Sequence, residues 1–106
     1  MGADTYTFLF TDIKGSTRLW EEHPSAMADA LAIHDQILSE SVGENEGSIF
    51  KHTGDGIAAS FGDPEMAAKA AVDSQRSLAA ASWPETGPIR VRMGLHTGEA
   101  IARDGD

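Results

Sequence analysis

Residues 48–61 read as a β-hairpin set between two helical stretches, and this limits the possible folds more than any other feature. Ser48 to His52 and Ile57 to Phe61 are short runs rich in apolar and aromatic side chains. They are separated by Thr53-Gly54-Asp55-Gly56, whose Asp-Gly step is a favoured hairpin turn. The turn sets Lys51 and Asp55 four positions apart. Gly54 and Gly56 flank the acid, so a cation or a phosphate can approach it without meeting a neighbouring Cβ. The rest of the chain reads as a scaffold around this tip.

Upstream, Tyr6-Thr-Phe-Leu-Phe10 is a β-branched and aromatic run without a breaker, predicting a buried strand with Asp12 at its C-terminal end. Gly15 allows a turn there, and Ser16 or Thr17 is expected to cap a short helix reaching Trp20 and Glu22. Pro24 fits the first position of a longer helix. In that helix Met27, Leu31, His34, Leu38 and Val42 recur every three to four residues, with Ala30, Ile33 and Ile37 widening the stripe. Downstream, Asp63-Pro64-Glu65 supplies an N-cap, a first-turn proline and an acid suited to the helix dipole. An alanine-rich helix follows to about Ser82, where Pro84, Gly87 and Pro88 end it. Ile89 to Met93 alternates apolar and basic residues as a half-exposed strand continuing through Leu95. Thr97-Gly98 is expected to turn it into an antiparallel partner beginning at Glu99-Ala100-Ile101-Ala102.

The order is strand, helices, strand, strand, helix, strand. It predicts an α+β chain with the ferredoxin-like βαββαβ core, plus a further strand begun. In that topology the first and third strands are central neighbours. The end carrying Asp12 and the turn carrying Asp55 therefore fall at the same end of the sheet. At 106 residues the chain fits one domain, spanning 1–106.

Composition excludes several classes of function. The formal net charge is −9 with only eight Lys and Arg, scattered along the chain, which argues against binding a nucleic-acid backbone. There is no cysteine, hence no disulfide framework, thiolate metal site or cysteine nucleophile. No run approaches the roughly 18 apolar residues of a membrane span, so no membrane contact is expected. The start lacks the pattern of a signal peptide, and a cytoplasmic location is expected.

Two carboxylates without adjacent His or Cys suit a hard ion such as Mg²⁺ or Mn²⁺, which takes its remaining ligands from water and phosphates. A pair of such ions could clamp the attacking and leaving oxygens of an in-line displacement at phosphorus. Ile13-Lys14-Gly15-Ser16-Thr17 adds backbone N–H groups at a helix start, although it lacks the Gly-Lys-Ser/Thr of a Walker A loop.

Three blocks together resemble the class III nucleotidyl cyclase catalytic domain in its bacterial form: Phe8 to Thr17, Phe50 to Gly56, and Arg92 to Glu99. They occur in the family's order and spacing and span nearly the whole chain. The resemblance implies conversion of a nucleoside triphosphate to a 3′,5′-cyclic nucleotide and pyrophosphate, by attack of the ribose 3′ oxygen on the α-phosphate. It implies two Mg²⁺ or Mn²⁺ ions per site held by Asp12, Asp55 and the Ile13 carbonyl, with Gly15, Ser16 and Thr17 near the substrate. Lys51 falls at the purine-selecting position. An ammonium donates to adenine N1 but offers no acceptor to guanine, so ATP is the expected substrate. The resemblance also implies a head-to-tail homodimer with shared sites, in which Lys51 serves the site opposite its own Asp55.

The family's second adenine contact and its transition-state asparagine and arginine fall after Asp106. The C-terminal part of the domain is therefore expected to be missing, and no catalytic residue is assignable. A non-catalytic regulatory or dimerisation module is the alternative. A diguanylate cyclase fits less well, because Thr53-Gly54-Asp55-Gly56-Ile57 lacks that family's second acid and aromatic. Taken singly, Asp12 could cap a helix, Asp55 could be a turn residue and Lys51 a solvated strand residue. Arg90 and Arg92 read most simply as the exposed face of their strand, His34 as a hydrogen-bonded core residue, and Trp20 and Trp83 as packing at helix ends.

Overall fold

A computed structural model describes residues 4–100. Four antiparallel strands form one sheet in the order β2-β3-β1-β4, with β1 at Asp4–Ile13, β2 at Ser48–His52, β3 at Ile57–Phe61 and β4 at Val91–Ala100. The helices are α1 (Ser16–Glu22), α2 (Pro24–Glu44) and α3 (Pro64–Ala80). This is the expected βαββαβ topology, with β1 and β3 adjacent at the centre.

The sheet buries one face. Leu9, Ile57, Ala59 and Phe61 pack with Leu38 and Val42 of α2 and with Ala67 and Ala70 of α3. Nearer the site, Ile13, Ile89 and Val91 pack with Met27, Ala30 and Leu78. Each fully buried large side chain contributes about 1.5–3 kcal/mol relative to exposure. The small residues Ala67, Ala70 and Ser74 form the buried stripe of α3 and let the helices approach closely. His34 is in this layer, fully buried, with Nδ1 2.9 Å from Asp35 Oδ1. Trp83 packs beyond the end of α3, its indole N–H donating to the Leu78 carbonyl, whereas Trp20 is 38% exposed.

Among the described residues, no helix covers the opposite face. Tyr6, Phe8 and Phe10 alternate along β1, and Phe50 of β2 meets Phe8 edge-on with ring centroids 6.1 Å apart. Phe10 and Phe50 are about half exposed.

Three expectations need correction. β1 does not stop at Phe10: its ladder with β4 runs from Asp4↔Ala100 to Ile13↔Val91, so Asp12 is inside the strand. For the same reason Thr97-Gly98 is not a turn. Thr97 pairs with Thr7, their hydroxyls 2.8 Å apart, and β4 continues to Ala100. The antiparallel partner expected from Glu99 is thus β4 itself as far as Ala100, and Ile101-Ala102 lie outside the described residues. Finally, neither Ser16 nor Thr17 caps α1. Gly15 takes the N-cap in a left-handed conformation, with φ 69°, and no side chain bonds to the cap. Asp63 does cap α3, accepting from the Glu65 N–H at 2.9 Å.

Asn45, buried at the end of α2, donates to the Ser41 carbonyl and to Asp73 of α3, tying the helices together. Two residues later a Cβ on Gly47 would overlap the Phe61 ring, whereas one on Gly43, inside α2, would meet nothing. Gly47→Ala is therefore expected to cost about 1–3 kcal/mol. Gly43→Ala should gain roughly 0.5–1 kcal/mol from helix propensity. Urea unfolding of both variants checks the pair, and equal midpoints would contradict the packing described here.

Candidate functional site

The sheet end at the C-terminus of β1 is assembled mainly by backbone. Beyond the last paired residues of β3, the Ile13 N–H donates to the Asp55 carbonyl at 2.9 Å and the Ile57 N–H to Thr11 Oγ1 at 3.1 Å. Thr53 N–H donates to the Gly56 carbonyl and closes the turn. Gly56 is buried against β1, where any Cβ would collide with the Thr11 carbonyl. Its glycine therefore serves the approach of one strand to another, whereas Gly54 faces open space as the sequence reading expected. The seam brings Asp55 beside the end of β1, next to Asp12 and Ile13.

The two acids have different partners. Ser16, the first residue of α1, donates from Oγ to Asp55 Oδ2 at 2.9 Å, and Thr53 Oγ1 reaches Asp55 Oδ1 at 3.4 Å. Ser16 thus orients a carboxylate instead of capping its helix. Asp12 is gripped by Arg92, its direct cross-strand neighbour. Nε donates to Oδ1 and Nη2 to Oδ2, both at 2.7 Å. This fork is the strong geometry for a guanidinium and a carboxylate. It holds the Asp12 carboxyl below the usual carboxylate range, the hydrogen bonds being the main cause, and raises Arg92. The charge of Asp55 acts on Arg92 in the same direction. Arg92 is the residue that sequence reasoning missed. It is exposed, as the alternation implied, yet it is the counter-ion of a candidate metal ligand, and only the β1–β4 register reveals this.

Lys51 is opposite Ala58, which is also opposite Phe10, so the register puts all three on the helix-free face. A β-bulge at Phe50 precedes it. Asp12 and Arg92 share that face by alternation from Phe10. Lys51 has no ion-pair partner among the described residues and is two strand spacings, about 10 Å, across the sheet from β1. Gly15 and Thr17 are exposed at the turn beside Asp55. Lys14 and Arg90 adjoin through the Lys14 N–H to Arg90 carbonyl bond at 2.8 Å.

The donor set suits a hard divalent ion: two carboxylates, one held by a hydroxyl and one by a guanidinium, with the Ile13 backbone beside them. Among the described residues no group of three or more His, Cys, Asp or Glu offers a complete protein cage. Such a site leaves coordination positions to water and ligand, as Mg²⁺ prefers.

The sequence profile described as the Adenylate and Guanylate cyclase catalytic domain matches residues 2–104. The chain is 39% identical over 102 residues to an uncharacterised protein of Mycobacterium tuberculosis, covering 94% of this chain and 33% of that protein. It is 30% identical over 115 residues to an adenylate cyclase of Neurospora crassa, covering 91% of this chain and 5% of that one. The chain thus spans a third or less of these relatives. A solved adenylate cyclase structure from Trypanosoma brucei, described as monomeric, is similar with a TM-score of 0.87 and 26% identity, over 93% of this chain and 58% of that one.

Because the folded pKa of Asp12 is depressed, its pairing contributes stability above the ordinary aspartate pKa and loses it as pH falls through the folded value. Carboxyl ¹³C NMR should show Asp12 titrating below an ordinary aspartate, and Arg92→Gln should move it up toward the ordinary value. The stability difference between the two proteins should shrink on acidification. An unmoved Asp12 titration in the variant would exclude Arg92 as the cause.

Proposed function

This chain belongs to the adenylate and guanylate cyclase catalytic domain family, and from that membership we propose that it forms the metal-binding half of an adenylate cyclase site. The observation that supports it most is the Ile13 N–H to Asp55 carbonyl bond, which sets the backbone of Asp55 beside the end of β1 that carries Asp12.

In this reading the Asp12 and Asp55 carboxylates and the Ile13 carbonyl hold two Mg²⁺ or Mn²⁺ ions. Bound there, such ions neutralise phosphate charge, acidify the ribose 3′ hydroxyl and stabilise the pyrophosphate leaving group. The chain's own residues hold that arrangement in place. Ser16 and Thr53 fix the orientation of Asp55, and the seam fixes its position relative to Asp12. Main-chain N–H groups of Gly15, Ser16 and Thr17 serve the β and γ phosphates, since the Ser16 hydroxyl is already held by Asp55. Arg92, paired with Asp12, adds a positive charge at this end of the sheet.

Lys51 selects the base. Its ammonium donates to adenine N1, whereas guanine presents donors there and requires an acceptor. Its distance from β1 across the sheet favours service to a second copy's site in a head-to-tail homodimer. The half-exposed Phe10 and Phe50, on the same helix-free face, supply apolar area for that contact.

The test is Mn²⁺-dependent binding of a non-cyclisable ATP analogue. Asp12→Ala and Asp55→Ala should each weaken it at least tenfold, and unchanged binding in the double variant would remove the metal assignment. Lys51→Glu should shift the ATP-to-GTP analogue preference toward GTP by about 10–100-fold, since the mismatch leaves hydrogen-bonding groups unpaired. Unaltered selectivity would remove Lys51 from base recognition.

A further inference from the structure

The Asp12–Arg92 pair uses both carboxylate oxygens. An ion binding Asp12 therefore competes with the guanidinium for the same two oxygens, and where it displaces an arm the released Arg92 is left beside a divalent cation. Two like charges so close repel strongly, even with partial solvent screening. The Asp12 and Arg92 side chains are 42% and 70% exposed. Well formed as the fork is, an ion pair exposed to solvent adds little net stability, so it can open when a ligand competes for it. Opening becomes favourable only when something anionic arrives to balance the ion and the freed guanidinium together.

Resting on the metal role assigned above, we propose that Arg92 is a resident counter-cation of Asp12 that suppresses binding of a divalent ion on its own. The ion then loads together with a polyphosphate, in exchange for the guanidinium. The observations behind this are the two 2.7 Å hydrogen bonds and the direct cross-strand register that leaves Arg92 no second acidic partner on its own strand face. The charge of Asp55 also acts on Arg92, but the hydrogen bonds to its oxygens come from Ser16 and Thr53 and not from the guanidinium. The ladder fixes the backbone of Asp12 and Arg92, so only side-chain rotation is needed for the exchange. Arg92 is thus a positioning residue: it sets the order and coupling of loading. By linkage, the polyphosphate must enhance ion affinity by the same factor as the ion enhances polyphosphate affinity.

The experiment measures Mn²⁺ binding by the loss of the free-ion electron paramagnetic resonance signal, with and without inorganic tripolyphosphate. Formation of the Mn²⁺–tripolyphosphate complex in solution is accounted for from a protein-free titration. Arg92→Gln should tighten binding of Mn²⁺ alone by about tenfold and reduce the enhancement given by tripolyphosphate. Arg92→Lys, which keeps the charge and loses the fork, should fall between the two. In the unmodified protein, the Arg92 Nε–H resonance should be protected without ion and lose that protection on adding Mg²⁺ with tripolyphosphate, but not Mg²⁺ alone. This readout needs no variant and is unaffected by any loss of fold. Equal affinity for Mn²⁺ alone in the Arg92→Gln and unmodified proteins would overturn the proposal, as would an Nε–H signal indifferent to ligand. If Asp12→Ala leaves Mn²⁺ binding intact, the metal role of Asp12 itself is lost. If Asp12→Ala abolishes binding while Arg92→Gln changes nothing, only the counter-cation role fails.

Discussion

One main-chain hydrogen bond, from the Ile13 N–H to the Asp55 carbonyl, holds the candidate site together. It extends the contact between β1 and β3 beyond their last ladder pair and stitches a hairpin turn to a strand end. The bond can form only because Gly56 has no side chain: the Thr11 carbonyl occupies the space a Cβ would need. Main-chain bonds are short-ranged and directional, so the positions of the two aspartates are set by backbone geometry. Their side chains remain available for chemistry. That division suits acids whose partners must change as ligands arrive.

Beneath the seam the core performs a separate task. The Ile13, Val91, Met27 and Leu78 cluster anchors the end of β1 and the start of β4 against α2 and α3, while Leu9, Phe61, Val42 and Ala67 secure the middle of β1. Fixing β1 at its middle and its C-terminal end keeps the long β1–β4 ladder in register. Register in turn makes Arg92, and not Arg90 or His96, the neighbour of Asp12. A slip of one residue would place Val91 or Met93 there and turn core residues to solvent, which the burial of Leu9 and Ile13 penalises heavily. The electrostatics of the site is thus a consequence of hydrophobic patterning in its strands.

Much of this was legible in the sequence. Breakers and periodicity marked each element, and the strand order placed Asp12 and Asp55 at one end of the sheet. What escaped was long-range. The continuation of β4 through Thr97-Gly98 depends on its pairing with Asp4 to Thr7, and a Thr-Gly step read locally favours a turn. Ser16 does not cap because it is already the first residue of α1, with Gly15 at the N-cap, and its hydroxyl donates instead to a carboxylate from a distant hairpin. Arg92 looked like ordinary surface, since its partner is far away in sequence and adjacent only across the sheet. Alternation tells which face a side chain takes; it does not tell whom it meets.

The bulge in β2 has a consequence of this kind. In a regular strand consecutive side chains take opposite faces, so either Phe50 or Lys51 would point away from the aromatic surface. The extra residue between Ile49 and Lys51 lets Phe50 meet Phe8 while Lys51 still pairs with Ala58. An aromatic ring and an ammonium thereby stand side by side on one surface. Any threading of this segment that enforces strict two-residue alternation will send one of them into the wrong compartment.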